Sequence, residues 1–318
     1  MKPALCFYSR TFSDFPLFLE AQQLTTDNAI GNGRVVLAFE YDGRSFHGWQ
    51  MQKSGVRSVE GELSRAVAKV ADHPVDLVCA GRTDAGVHAS YQIAHFETPS
   101  IRNLRSWVMG INTALPEDIS VHWAGQGAGD FHARFSAVYR RYRYVIYNHA
   151  VRPGIQRGQV SWTFRPLDAG RMHEAAQALV GEHDFSSFRA AGCQSRTPIR
   201  FLERISVTRR GDFVVIDIQA NAFLHHMVRN IAGALMAVGN GKESVGWIGA
   251  ILNKRDRTVA GVTAPPDGLY LVDVGYPEGY GIPKAECGPG FVRPWFQRND
   301  NLPIEPTHIH PKKPMPKL

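Results

Sequence analysis

One arrangement of apolar runs occurs twice along this chain, and that repetition limits the fold more than any single motif does. A strand-like run over Arg34–Tyr41, closed by the Asp42-Gly43 turn, leads to a helix beginning at Ser58. Ser58 is a good N-cap, Glu60 and Glu62 suit the first turn, and Val59, Leu63, Val67 and Val70 recur at helical spacing. Asp76–Ala80 and Tyr91–Phe96 read as strands, followed by a helix around Leu104–Ile111 and a strand near Ile119–Trp123. The pattern then restarts. A strand over 137–147 leads to a helix near Asp168 with Met172, Ala175 and Leu179 inward. A hairpin of Ile205–Thr208 and Phe213–Ile218 follows, turning at Arg210-Gly211-Asp212. Helices over 223–238 and 245–253 and a closing strand Leu269–Val274 complete the second half. Two such halves predict α+β subdomains, 33–136 and 137–276, whose sheets join around a central cleft.

Residues 1–32 show no clean period and read as an N-terminal extension. Residues 277–318 form a Pro-rich basic tail in which regular structure is not expected, and its His308 and His310 read as incidental polar residues. A chain of 318 residues with 44% hydrophobic and 20% charged content has ample core. The formal charge of +7 makes a polyanionic partner plausible and no more. Cys6, Cys79, Cys193 and Cys287 are scattered without a C-x-x-C pair, which argues for a reducing compartment and against zinc or disulfides. No apolar run reaches membrane-spanning length, and Arg10, Asp14 and Glu20 interrupt any secretory signal, so the cytoplasm is expected.

The segment Cys79-Ala80-Gly81-Arg82-Thr83-Asp84-Ala85-Gly86-Val87-His88-Ala89 places a carboxylate and a guanidinium on a glycine-bounded loop between strands. Taken alone it is as compatible with a surface turn as with a reactive loop. Other blocks accompany it in order: Glu40-Tyr41-Asp42-Gly43 with Gly48-Trp49-Gln50, Asp130–Ser136, Arg140–Tyr144, Cys193–Pro198, Ala220–Ile231 and Gly268–Leu271. This ordered set resembles the tRNA pseudouridine synthase A family from about Arg34 to Pro277. The resemblance implies the pseudouridine synthase fold, two α+β subdomains sharing a mixed, mainly antiparallel sheet. It also implies an isomerase that converts uridine to pseudouridine at positions 38, 39 and 40 of the tRNA anticodon stem-loop. It carries with it a homodimer holding tRNA across both subunits, with no cofactor, no metal and no membrane.

By the same resemblance, Asp84 is the catalytic carboxylate and Arg229 its counter-ion. Arg229 has independent interest, because a lone Arg in the apolar helix Phe223–Val238 requires an acidic partner. A structural pair with another acid is the competing reading. Alternation along 138–147 puts Arg140, Tyr142, Tyr144 and Ile146 on one face. There the resemblance sets Tyr142 against the target uracil, whereas Tyr144 reads as packing. Arg82 is the candidate for holding a flipped base out, with a phosphate contact as its rival role. Arg102 is a tRNA contact by resemblance or a solvated residue at a helix start. Phe131, His132, Ala133, Arg134 and Phe135, with Gly192, Cys193, Gln194, Ser195 and Arg196, are expected to grip RNA backbone. His225 and His226 suggest a metal, but neighbours on a helix diverge by about 100° and should not chelate together, so they read as packing or RNA-contact residues. A non-catalytic RNA-binding protein, and an Asp-dependent glycosidase with a second acid elsewhere, are the alternative functions.

Overall fold

The computed structural model describes residues 28–285 and 288–295. One ten-stranded sheet runs through it. The strands are β1 (Ala29–Tyr41), β2 (Val78–Cys79), β3 (His88–Asn103), β4 (Ile119–Gln126), β5 (Tyr139–Asn148), β6 (Ser161–Thr163), β7 (Gly181–Asp184), β8 (Ile199–Arg210), β9 (Phe213–Ala220) and β10 (Leu269–Gly275). Their spatial order is β4-β1-β3-β10-β5-β9-β8-β7, with β2 beside β3 and β6 beside β5. Only β10 with β3 and β5 with β6 pair in parallel, so the sheet is mixed and mainly antiparallel.

Local sequence chemistry sets the helices. In α1 (Val59–Ala71) the Ser58 hydroxyl accepts from the Gly61 amide, and Leu63, Ala66 and Val67 are buried. In α2 (Leu104–Ala114) Asn103 accepts from the Ser106 amide; in α3 (Ala169–Ala176) Asp168 accepts from the Arg171 amide. These caps satisfy amide groups that a helix start leaves open. Helices α4 (Met227–Gly239) and α5 (Trp247–Lys254) complete the layer. All five lean on one side of the sheet, where Val67, Trp107, Met172, Leu235 and Ile251 join Phe39, Tyr144 and Ile216 in one continuous core.

The two halves meet at β10. This strand comes from the second half but lies between β3 and β5, pairing Tyr270 with His88 and Leu271 with Ala89. The loop after Cys79 therefore enters the sheet at its central seam.

Three expectations need correction. Strand β1 starts at Ala29, where it pairs with Asn103, so residues 29–32 belong to the sheet; residues 1–27 lie outside the described residues. Helix α4 starts at Met227, because His226 adopts a left-handed conformation (φ 60°) that ends the preceding turn. The segment after Tyr276 is not structureless throughout. Short 3-10 turns form at Glu278–Tyr280 and Gly290–Trp295, and Val292 is buried with Val145, Val160, Val215, Tyr270 and Val272. Proline forbids helix and ladder interiors, not a packed turn, and the apolar outer face of the central strands needs cover. His308 and His310 lie beyond the described residues.

Candidate active site

The loop bearing Asp84 is fastened on several sides. The Tyr41 and Thr83 hydroxyls share a 2.8 Å hydrogen bond, the Trp49 amide donates to the Thr83 carbonyl at 3.0 Å, and the Gly86 amide donates to the Phe46 carbonyl. Gln92 donates to the Gly81 carbonyl at 2.7 Å. Gly86 has φ 77°, and a side chain there would meet Pro266 at 2.9 Å, so this glycine is required. Gly81 is not required in that sense, since a Cβ there would reach only ordinary contact with the Tyr142 hydroxyl.

Arg140 ties three segments together. Its guanidinium donates to the carbonyls of Ala80, Ala137 and Asn221 at 2.9–3.2 Å, and to that of Arg134. Burial pulls its pKa down. The start of the Asp84 loop, the turn before β5 and the approach to α4 thus share one buried hub. Alternation had placed Arg140 on the Tyr142 face; its role as a hub depends on distant carbonyls that local pattern does not reveal.

Asp84 and Arg229 come together. The Arg229 Nη1 lies 3.5 Å from Asp84 Oδ2, with side chains 14% and 22% exposed. That is longer than an ordinary N–H···O bond. The guanidinium also donates through Nε to the Ala264 carbonyl at 2.9 Å, and Ala264 donates its amide to the Arg229 carbonyl. This contact needs the 262–264 backbone close against α4, where Gly233 gives way: a Cβ there would fall 1.9 Å from the Val262 oxygen.

Two histidines also face the carboxylate. His225 Nε2 is 3.3 Å from Asp84 Oδ1, and His226 Nε2 is 3.4 Å from Oδ2. The divergence expected of helical neighbours does not apply, because both residues precede α4 and the left-handed turn at His226 brings their rings within 4.0 Å. Burial lowers the His226 pKa, against the pull of Asp84. Periodicity could not have revealed this, since the apolar pattern runs through the turn as though it were helix.

Tyr142 is buried on the same face, edge-on to Phe223 at 5.0 Å. Burial and the nearby Asp84 carboxylate push its phenol well above the usual range, offset in part by Arg140. Tyr144 donates to the Pro265 carbonyl at 2.9 Å and shares a hydrogen bond with Ser161, as a packing residue should. Cys79 is buried, its thiol pushed up to about 12 by desolvation, and so offers no nucleophile.

The rim is uneven. Arg82 is exposed and only loosely contacts Gln194, at 3.5 Å. Arg134 and Phe135 are exposed, the guanidinium lying 5.5 Å from the Phe135 ring, and half-buried His132 accepts from both their amides. Phe131 and Ala133, by contrast, are completely buried, so their side chains cannot touch a ligand. Phe131 packs on His95, Tyr276 and Tyr280 instead. Across the site, Gly192, Gln194 and Arg196 are exposed, whereas Ser195 accepts from Arg200 at 2.6 Å. The Cys193 sulfur accepts from the His225 amide at 3.4 Å. Burial opposes ionisation of Cys193, but this bond and those from Ser195 and Arg189 outweigh it and lower the thiol pKa. Arg102 does not join the site. It pairs with Ile30 at the far end of β3, roughly 40 Å along an extended strand from the Asp84 loop.

A family model described as tRNA pseudouridine synthase matches residues 37–136 and 175–277. The tRNA pseudouridine synthase A of Shewanella amazonensis is 55% identical over 259 residues, covering 81% of this chain and 99% of the relative. The chain belongs to the tRNA pseudouridine synthase A family. Proteins of the same name from Coxiella burnetii and Vibrio campbellii are 53% and 54% identical over the same length, covering 81% of this chain and 99% and 98% of theirs. Among solved structures, a chain of a Cbf5-Nop10-Gar1 complex is 12% identical, with a TM-score of 0.27 over 64% of this chain and 54% of that one. A likeness that low supports no argument. Family membership makes this protein an isomerase that forms pseudouridine from uridine, and among the described residues no helix is long and apolar enough to cross a membrane.

Proposed function

We propose that this protein isomerises uridines 38, 39 and 40 in the anticodon stem-loop of tRNA in the cytoplasm, with Asp84 as the catalytic carboxylate. The observation that carries the reading is the convergence of Arg229, His225, His226 and Tyr142 on one partly exposed acid at the seam of the sheet. The reaction breaks the bond from ribose C1′ to uracil N1 and forms one from C1′ to C5. The C5 proton leaves and N1 gains one, so no redox step enters. A fixed carboxylate, a buried phenol and a guanidinium are the tools such an exchange needs.

A uridine in a stem must leave the stack before Asp84 can reach it, at a cost of a few kcal/mol. Exposed Arg82, two residues from Asp84, is placed to fill the vacancy with its planar guanidinium. Tyr142 is positioned to lie against the extruded base, its phenol remaining protonated and able to donate. Arg134, Phe135, Gln194 and Arg196 flank the loop as backbone contacts. The cavity of about 250 Å³ lined by Glu40, Asp42, Glu117 and Asp118 has the wrong sign for a polyanion and takes no part. In a symmetric homodimer holding one tRNA across both subunits, Arg102 grips the substrate far from the reacting uridine.

The test is to incubate purified protein with unmodified tRNA and map pseudouridine by carbodiimide-dependent stops. Product at 38–40 with the parent protein, and none with Asp84→Asn despite retained tRNA binding, is expected. Folded parent protein that leaves those positions unmodified sinks the assignment.

A further inference from the structure

We propose that Asp84, His225 and His226 form a binding site for a divalent transition-metal ion of the zinc type, and that occupancy of this site switches the enzyme off. The inhibitory half rests on Asp84 being the catalytic acid; the binding half does not.

The geometry is that of a metal ligand set. One carboxylate oxygen and one ring nitrogen from each imidazole lie within 4.8 Å of one another. The two acid–imidazole separations are 3.3 and 3.4 Å. A tetrahedral ion with bonds of about 2.0–2.1 Å holds its ligand atoms roughly 3.3–3.4 Å apart, so the groups already stand near the required spacing. Each imidazole faces a different carboxylate oxygen, and an ion between the rings meets the acid through either or both. The rings need only carry their protons on Nδ1 to present lone pairs inward.

The chemistry of the set selects the ion. Two imidazoles and one carboxylate favour zinc, nickel or copper, whereas magnesium prefers oxygen ligands and retains its water. Three protein ligands leave a fourth position open to solvent, as befits a reversible site. Side-chain exposures of 44% for His225, 29% for His226 and 22% for Asp84 give an ion access. Arg229, 3.5 Å from the carboxylate, opposes a second positive charge. It weakens the site, which suits an inhibitory ion and not a resident structural one. The left-handed turn at His226 has no capping bond from its side chain, and it is what directs both rings at the acid.

A bound ion engages the Asp84 carboxylate and occupies the space where an extruded nucleotide must lie. Inhibition should therefore compete with tRNA turnover and be reversed by a chelator.

The experiment uses the full chain freed of metal. Titration with Co²⁺ should produce the visible bands of a tetrahedral site, and calorimetry should show zinc binding. His225→Gln and His226→Gln should each weaken binding more than roughly 10-fold, the lower limit for loss of even an outer-shell partner. Asp84→Asn removes the third ligand independently and should also weaken it. Zinc should suppress pseudouridine formation and EDTA restore it, while equal magnesium has no effect. Absence of the cobalt bands from wild-type protein overturns the site without needing any variant. So does binding unchanged in both histidine variants, which would place the ion elsewhere. Histidine-dependent binding by a protein that makes no pseudouridine when metal-free would instead sink the function and leave the site standing. Histidine-dependent binding without inhibition would refute the switch.

Discussion

Of the carboxylates that face arginine in this molecule, Asp217 and Asp84 are built in opposite ways. Asp217 on β9 is 4% exposed and bonded to Arg141 Nε at 2.6 Å and Arg143 Nε at 2.7 Å, whose side chains are 4% and 0% exposed. Burial alone would raise its pKa, but the two guanidinium groups overcome that and hold it below the usual carboxylate range. Asp84 is 22% exposed, and its guanidinium stands off at 3.5 Å. The first pair directs its attraction into holding β5 against β9, where short charge-assisted bonds are satisfied inside the sheet. The second leaves its oxygens within reach of another molecule. The same residue types thus serve cohesion or chemistry according to distance and access.

Exchanging one carboxylate at a time offers the sharpest way to break that contrast. Asp84→Asn should lower pseudouridine formation at least roughly 10³-fold. Its stability in urea should change by less than about 1 kcal/mol, as for a loosely held, part-exposed pair. Asp217→Asn should do the reverse. Removing the carboxylate shared by two buried guanidinium groups should cost about 3–5 kcal/mol. The melting temperature should drop on the order of 10 °C, while the folded fraction keeps its turnover. If Asp84→Asn proves the more destabilising of the two, the contrast is wrong.

Acidity sharpens the comparison further. A carboxylate with a lowered folded pKa stabilises fully above its unfolded value of about 3.9, and that contribution disappears as the pH falls through the folded value. Urea unfolding of wild type and Asp217→Asn should therefore differ equally at pH 7 and pH 5, and converge only below about pH 4. Convergence at higher pH would mean that the Asp217 pKa is not lowered.

The tyrosines on β5 repeat the contrast on a smaller scale. Tyr142→Phe should cost about 10²-fold in kcat, the lower range for loss of a proton-transfer group, with little change in melting. Tyr144→Phe should instead cost roughly 1–3 kcal/mol by stranding the buried Ser161 hydroxyl that its own hydroxyl meets. Smallest of all, Arg134→Ala should reduce the salt slope of tRNA binding by about 1, measured by filter binding across a salt series. An unchanged slope would remove Arg134 from the RNA path.

Much of the architecture was legible because it is local. The cap at Ser58, the helix start near Asp168, the stripe of α1 and the alternation of β5 each follow from neighbours within a few residues. The resemblance directed attention to Asp84, Arg229 and Tyr142, and the fold does bring them to one place. It also led to Phe131 and Ala133 as contacts, and these prove to be core. A motif marks which residues a family keeps, without distinguishing a side chain that touches RNA from one that supports the turn presenting it. Helical divergence argued against a shared ligand for His225 and His226, but one positive φ, invisible in an apolar pattern, converts two diverging helix positions into a facing pair.

Sequence alone determined most of the strands, the Ser58-capped helix start and the family, since capping, periodicity and ordered motifs are properties of short stretches. Tertiary structure decided which acid is structural and which is open, because that turns on whether the guanidinium stands at 3.5 Å or at 2.6 Å, between residues up to 145 positions apart. The first of these follows from how β10 joins the two halves and the second from the pairing of β5 with β9, and only the packed chain specifies them.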